Sequence, residues 1–453
     1  MTPGMEQRKT SAFSTAGSPY YEIEGGKPLT GDVYVPGAKN AVLPALVAAS
    51  LTEEPVTLHS VPVELNDVRL IMELLEELGV DIQRSGADSL IVQKRTWEDQ
   101  GIDRTKASRI RHSLLLLGGS ARWGESLFLP IPGGCNIGSR KHDLHTMALN
   151  TLGHKAEELD EGIVFSSRAS AEDKDIEFHY PTFGGTLNVM FAAVAREGSR
   201  TTLKNAAINP EVIDVMKLLN NMGADIGWES ESSNTMIING VKSLHGTTHH
   251  VMGDRIIAST VIAAVGATKG NVRIHNTGAH FLQKEVNVWR DAGLRIEDHD
   301  DNYLDVSWEK PLEPVSIETS AYPGFHTDIQ PLHGVMMARA EGNSSIKETI
   351  LDGRFQYVWE LNKLGASGTV EDGGFLCVNG AEGQVATFTG TGDWTGSEEL
   401  VARDIRGGAA VVIGALAAEG RSCITNVYQI ERGYQDLPGL FRQMGARITR
   451  ELS

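Results

Sequence analysis

The chain alternates short β-branched runs, which read as strands, with longer apolar segments, which read as helices. Gly31–Pro36 and Val56–His59 are of the first kind. The helices fall into two classes. One is amphipathic: Val68, Ile71, Leu74, Leu75 and Leu78 recur at three- and four-residue spacing, so the pattern predicts a helix capped by Asn66 and stopped at Gly79, with Val80 opening the next strand. The other class is apolar around its whole circumference, as in Ala41–Leu51, the stretch that begins at Val189, Ile256–Ala267 and Ala409–Ala418. A helix without a polar face has to be covered on every side, so these segments predict a helical centre with sheets outside.

The amphipathic helices close on Leu78-Gly79, Leu152-Gly153, Met222-Gly223, Ala292-Gly293, Leu364-Gly365 and Met444-Gly445, 70 to 80 residues apart. A period kept along the whole chain means one structural unit used repeatedly. The expected architecture is α/β: six βαβαββ-type units in two similar globules, arranged as an inside-out α/β barrel. Ser, His, Thr and Gly interrupt the pattern over 240–252, which places the first globule at 37–250 and the second at 251–453. The N-terminal strand, 19–36, is expected to return to the second globule, and residues 1–18, rich in Ser and Thr, read as a disordered tail. A cleft between two like globules is the expected ligand site.

Composition narrows the ligand. At 453 residues the chain exceeds what one core usually supports. A formal net charge of -18 disfavours nucleic acid and anionic membranes, so a bound anion must rely on a local cluster of Arg and Lys. Cys135, Cys377 and Cys423 form no C-x-x-C pair, which argues against zinc, iron–sulfur and disulfide frameworks and fits a cytoplasmic setting. No apolar run approaches the roughly 18 residues of a membrane span. No cofactor is expected: the P-loop signature is missing, and Gly390–Gly396 does not satisfy the dinucleotide fingerprint. His142 with His145, and His245 with His249 and His250, lack an accompanying carboxylate–histidine set of metal-binding spacing.

Four segments break the repeat with charge, Gly or a thiol. Lys39 and Asn40 stand at the mouth of a helix, where free N–H groups and a Lys attract an anion, although a Lys there is ordinarily just solvated. Around Cys135 three Gly within six residues, Gly133, Gly134 and Gly138, and the nearby Arg140 and Lys141 favour a reactive thiolate over a small buried hydrophobe. Asp328, after Tyr322–Thr327, is either a helix cap or a general base. Arg403 and Arg406 precede an apolar helix against its macrodipole, which points to an anion, and Asp254-Arg255 holds the equivalent place in the fourth unit.

Taken in order, Gly37-Ala-Lys39-Asn40, Pro132-Gly-Gly-Cys135-x-Ile-Gly-x-Arg140, Phe183-Gly-Gly-Thr186, Thr327-Asp328, Gly353-Arg354-Phe, Asp404-x-Arg406 and Arg432-Gly-Tyr434 resemble the enolpyruvyl transferases. The specific likeness is to their UDP-N-acetylglucosamine 1-carboxyvinyltransferase branch, from about Gly31 to Ile448, and it independently implies the two-domain inside-out barrel. It further implies transfer of the carboxyvinyl group of phosphoenolpyruvate to a hydroxyl of a uridine nucleotide, without metal, by addition and elimination. On that resemblance Cys135 is the acid at C3 and the target of fosfomycin, Asp328 the base, and Lys39 a catalytic cation. Lys39, Arg111, Arg140, Arg354 and Arg406 would bind phosphoenolpyruvate. Asn40, Arg140, Lys141, Asp143, Leu144, His145, Thr182, Phe183, Gly184 and Asp328 would bind the acceptor.

Departures from the family pattern fall on the acceptor side. Lys141 replaces a Pro, Tyr180 a Lys, Thr182-Phe183 a Ser-Val pair, and Leu115 a Trp. They keep open UMP as the acceptor, in nucleoside-antibiotic rather than peptidoglycan-precursor synthesis. A shikimate acceptor fits less well because that branch lacks the Gly-Gly-Cys loop. Retention of Cys135, Asp328 and Arg406 weighs against a non-catalytic nucleotide-binding paralogue.

Overall fold

The computed structural model describes residues 17–95, 101–131, 142–168, 171–299, 302–390 and 392–452. Helices without a polar face are buried as their composition demands. All fourteen residues of Arg255–Thr268 are buried, as are twelve of the thirteen in Ile405–Ala417, the exception being Ala417. These two pack on each other and on Gln330–Met337. In the other half of the molecule Leu115–Trp123 packs against Phe183–Ala193 and Lys39–Ala49. Asn66–Glu77 behaves as an amphipathic helix should, burying Val68, Ile71, Leu74 and Leu75.

Among the described residues the strands form five four-stranded sheets and one three-stranded sheet, so the chain is mixed α/β. Each four-stranded sheet joins antiparallel neighbours to one parallel edge pairing. Pro19–Gly25 lies antiparallel between Gly420–Thr425 and Arg447–Leu452, and Thr30–Tyr34 pairs parallel with Asn271–His275. Two apolar cores result: one contains Ala38 to Met252, the other Tyr21 to Val35 together with Ile256 to Ile448. The chain passes between them at two segments that touch: Ala38 N–H donates to the Met252 carbonyl (2.8 Å) and Asp254 N–H to the Pro36 carbonyl (2.9 Å). Gly37 and Gly253 face each other in this bridge. A Cβ at Gly37 would lie 1.8 Å from the Ser60 carbonyl oxygen, and one at Gly253 1.8 Å from that of Asn276, so neither position tolerates a side chain.

Several local expectations need adjustment. The first helix begins at Lys39 rather than Ala41, which makes Lys39 a first-turn residue. Asn66 is not a cap: it is the first helical residue, and the Leu65 before it supplies no side-chain bond. Of the tail assigned to 1–18, only Gly17 and Ser18 are among the described residues.

Candidate active site

A cavity of about 350 Å³ opens where segments of the two halves meet, several of them helix starts. From the first half come Lys39 and Asn40, Arg111, His145, and Tyr180 to Gly184; from the second come Arg255, Ser320 to Tyr322, His326 to Asp328, Arg354 and Arg406. Five cationic side chains and two carboxylates, Glu211 and Asp328, line a cavity in a chain whose formal net charge is -18. The cleft therefore draws anions against the field of the whole molecule.

Lys39 and Arg406 are fixed by their surroundings. Lys39 is 7% exposed; its backbone N–H donates to Asp254 Oδ2 (3.1 Å) and its Nζ to Asp67 Oδ2 (3.1 Å). Asp67 also lies 3.6 Å from Arg432 Nε, which belongs to the other half. Burial alone would raise the Asp67 carboxyl, but Lys39, Arg432 and His112 outweigh it and hold it below its ordinary value. Arg406 occupies the first turn of Ile405–Ala417, whose start is capped by Asp404 Oδ1 accepting from Arg406 N (3.0 Å) and Gly407 N (2.9 Å). The Arg406 guanidinium lies over the Tyr434 ring at 5.0 Å, and its buried Nη1 has no partner among the described residues.

Asp328 is neither inside a helix nor a cap: Gln330–Met337 starts two residues later and has no side-chain cap. Its carboxylate pairs with the Arg354 guanidinium, and a quarter of its side-chain surface remains open to the cavity. Burial pushes the Asp328 carboxyl up, yet Arg354, His326, Arg406 and Lys39 prevail and hold it far below the usual carboxylate range. Its own N–H donates to His326 Nδ1 (3.1 Å), the His326 N–H donates to buried Glu285 (3.0 Å), and the Thr327 hydroxyl donates to buried Glu348 (2.9 Å). Two buried acids thus hold the short segment that presents Asp328.

Of the residues expected at the site, Lys39, Asn40, Arg111, His145, Thr182, Phe183, Gly184, Asp328, Arg354 and Arg406 meet in this cavity. Cys135, Arg140 and Lys141 lie outside the described residues. Asp143 and Leu144 do not line the cavity: they open the helix Asp143–Thr151, where Asp143 is exposed and Leu144 packs on the first core. His145, further around that helix, turns inward and its Nδ1 meets Asn188 Nδ2 at 2.8 Å. Burial pushes the His145 imidazole down to about 3, so it is neutral at neutral pH. Arg403 points away and pairs with Glu360 at 3.2 Å.

Sequence reasoning did not assign Glu211, Arg255, Tyr322 and His326 to the site. The likeness of Asp254-Arg255 to Asp404-x-Arg406 was the signal for Arg255; nothing local marks Glu211, which sits in the first turn of Pro210–Asn221 like any helix-start acid.

The family model of EPSP synthase (3-phosphoshikimate 1-carboxyvinyltransferase) matches residues 23–441. The chain belongs to this enolpyruvyl transferase family. Within the family, it is 36% identical over 431 residues to a UDP-N-acetylglucosamine 1-carboxyvinyltransferase 2 of Caldanaerobacter subterraneus, covering 95% of this chain and 99% of the relative. A UDP-N-acetylglucosamine 1-carboxyvinyltransferase of Desulfovibrio desulfuricans is 37% identical over 430 residues, 95% and 98% of the two chains. The fold matches the enolpyruvyl transferase NikO from Streptomyces tendae with a TM-score of 0.83 at 24% identity, covering 96% of this chain and all of that one. EPSP synthase from Acinetobacter baumannii follows at 0.72 and 14%, with the same coverage. No helix among the described residues is long and apolar enough to cross a membrane.

Proposed function

We propose that the enzyme transfers the 1-carboxyvinyl group of phosphoenolpyruvate to a sugar hydroxyl of UDP-N-acetylglucosamine and releases inorganic phosphate. The observation that carries this reading is a partly buried carboxylate, Asp328, set among Lys39, Arg354 and Arg406 in a cleft of a chain so similar to known UDP-N-acetylglucosamine 1-carboxyvinyltransferases. We also read the six sheets as six copies of one unit wrapped around the buried helices, with the two halves closing on the substrates.

Phosphoenolpyruvate carries a phosphate and a carboxylate, and four cations, Lys39, Arg111, Arg354 and Arg406, line the cavity near Asp328. Arg is suited to both groups because its planar fork matches two oxygens at once. Protonation of C3, for which Cys135 is the candidate acid, makes C2 cation-like, and the acceptor oxygen then bonds to C2 as its proton passes to Asp328. Loss of a C3 proton and cleavage of the C2–O bond to phosphate restore the vinyl group. The pairing with Arg354 makes Asp328 a weak base until the anionic substrate arrives. Substrate charge spread over Arg354 and Arg406 relaxes that hold and raises the basicity of Asp328 when the acceptor hydroxyl is present.

A second reading has UMP as the acceptor. It is favoured by Tyr180 and Phe183 in the cavity wall, an uncharged pair less suited to a diphosphate. Phosphate release from phosphoenolpyruvate with UDP-N-acetylglucosamine, UMP or 3-phosphoshikimate as acceptor separates the possibilities. Turnover with the sugar nucleotide, and a mass increase on Cys135 after fosfomycin, are the expected results. Turnover with UMP alone transfers the assignment to the second reading.

A further inference from the structure

The cavity has a second polar wall that the chemistry above does not use. Arg255 opens the helix Arg255–Thr268 and Glu211 stands in the first turn of Pro210–Asn221, so the pair joins the two halves of the molecule. Arg255 is 1% exposed and Glu211 2%, and both line the cavity. Arg255 Nε donates to Glu211 Oε1 at 2.8 Å. This single contact leaves two buried atoms without a partner among the described residues: the donor Arg255 Nη1 and the acceptor Glu211 Oε2. A buried donor or acceptor left unmade is costly, more so when charged, so a pair with both vacant is a place where a ligand gains by supplying the missing partners.

The charge of this wall selects the ligand's chemistry. On the other wall the Arg406 guanidinium has no carboxylate hydrogen-bonded to it among the described residues and its buried Nη1 is unpartnered, which suits phosphate and carboxylate. Arg255, in contrast, is balanced by Glu211, and a second buried acid, Glu285, stands close enough to act on it. An anion brought here would meet Glu211 as well as Arg255. A neutral group that accepts and donates through neighbouring atoms meets no such penalty and fits both vacancies. Ser320, Tyr322 and Asn209 complete the surrounding wall with further neutral polar groups.

We propose that Arg255 and Glu211 form a subsite for a neutral hydrogen-bonding group of the acceptor's hexose, its amide or a hydroxyl, and so set the preference for a sugar nucleotide over a simple nucleotide. This rests on the acceptor assigned above. The subsite acts on binding and orientation of the acceptor, and Arg255 and Glu211 take no part in proton transfer.

The test compares kcat/KM for UDP-N-acetylglucosamine, UDP-glucose and UMP, by phosphate release, in the wild-type enzyme, Arg255→Lys and the double variant Arg255→Met with Glu211→Leu. A folding defect lowers all three values together, so the ratios report the subsite. Sites built to bond a polar group reject analogues lacking it by large factors, and the expected result is a loss of at least about tenfold in the preference for UDP-N-acetylglucosamine over UMP in both variants, with the KM for phosphoenolpyruvate little changed. A parallel collapse of preference over UDP-glucose identifies the amide; an unchanged one identifies a hydroxyl. Arg255→Lys keeps the charge and loses the fork, and it decides the matter if the double variant does not fold. Ratios to UMP that stay at the wild-type value overturn the proposal and leave the pair as a structural link satisfied by water. Absence of wild-type turnover with any sugar nucleotide rejects the acceptor assignment itself.

Discussion

The starts of Arg255–Thr268 and Ile405–Ala417 are built alike and do opposite things. In each, a buried Asp caps the helix by accepting two backbone N–H groups: Asp254 from Ile256 and Ile257, Asp404 from Arg406 and Gly407. In each, a buried Arg follows within the first turn and lies over a Tyr ring, Tyr322 at 5.6 Å or Tyr434 at 5.0 Å. The difference is one neighbour. Glu211 takes the Nε of Arg255, whereas no carboxylate hydrogen-bonds the Arg406 guanidinium among the described residues. The cap and the ring make a place for a buried guanidinium; the neighbouring helix decides whether its charge is available to an anion.

Removing charge is the strongest way to break this comparison. Arg406→Met takes away a cation that is not neutralised by a bonded carboxylate, and its effect should fall on the anionic substrate. Losing one preorganised charge contact in a water-poor site costs about 10²–10³-fold. We therefore expect kcat/KM for phosphoenolpyruvate to drop by about that factor in Arg406→Met, whereas Arg255→Met changes it less than about tenfold. Steady-state phosphate release at varied phosphoenolpyruvate measures both. Equal losses in the two variants would mean that the contrast between the helix starts has no functional content.

The caps offer a smaller test. Asp254 serves two helices, since its second oxygen accepts from the Lys39 N–H at the start of Lys39–Ala49. Among the described residues the Asp404 side chain hydrogen-bonds only its own helix, and it stands 3.9 Å from Arg354. Cap removal costs about 0.5–2 kcal/mol. Asp254→Ala should cost more than Asp404→Ala, by roughly the 1 kcal/mol of one more hydrogen bond. Urea unfolding followed by circular dichroism gives both values, and a larger loss in Asp404→Ala contradicts the ranking.

How much of this contrast the sequence disclosed depends on range. Periodicity separated the wholly apolar helices from the amphipathic ones because burial acts on residues three and four apart, and the buried Ile256–Thr268 stretch follows that reading. Motif resemblance singled out Lys39, Asp328, Arg354 and Arg406, which line one cavity in the folded chain. The pairing of Arg255 with Glu211 was not legible: 44 residues separate them, and only the folded chain brings two helix starts together. Asp143 and Leu144 lie off the cavity lining while His145 lies on it, because adjacent residues on a helix point about 100° apart. Asn66 was misread as a cap because Asn is common both at the cap and just inside it, and the distinction lies in backbone angles rather than residue type.

His326 stands within the electrostatic reach of both arginines and gives the finest measure of the contrast. Burial pushes its imidazole down to about 3, with Arg255 the next influence and Arg406 a lesser one. An unfolded His titrates near 6.5, so between about 6.5 and 3 the unfolded chain binds the additional proton. The resulting contribution to stability is complete above pH 6.5 and is lost as the pH falls through this window; it does not change on going to alkaline pH. Removing a neighbouring cation lets the folded imidazole protonate more readily. Arg255→Met should therefore raise the His326 value, by less than about one unit or 1.4 kcal/mol, and Arg406→Met should raise it less. Histidine-resolved NMR titration of the two variants measures these shifts. A larger shift in Arg406→Met would show that Glu211 screens Arg255 completely, so that the neutralised arginine, unlike its counterpart, exerts no field on the segment that presents Asp328.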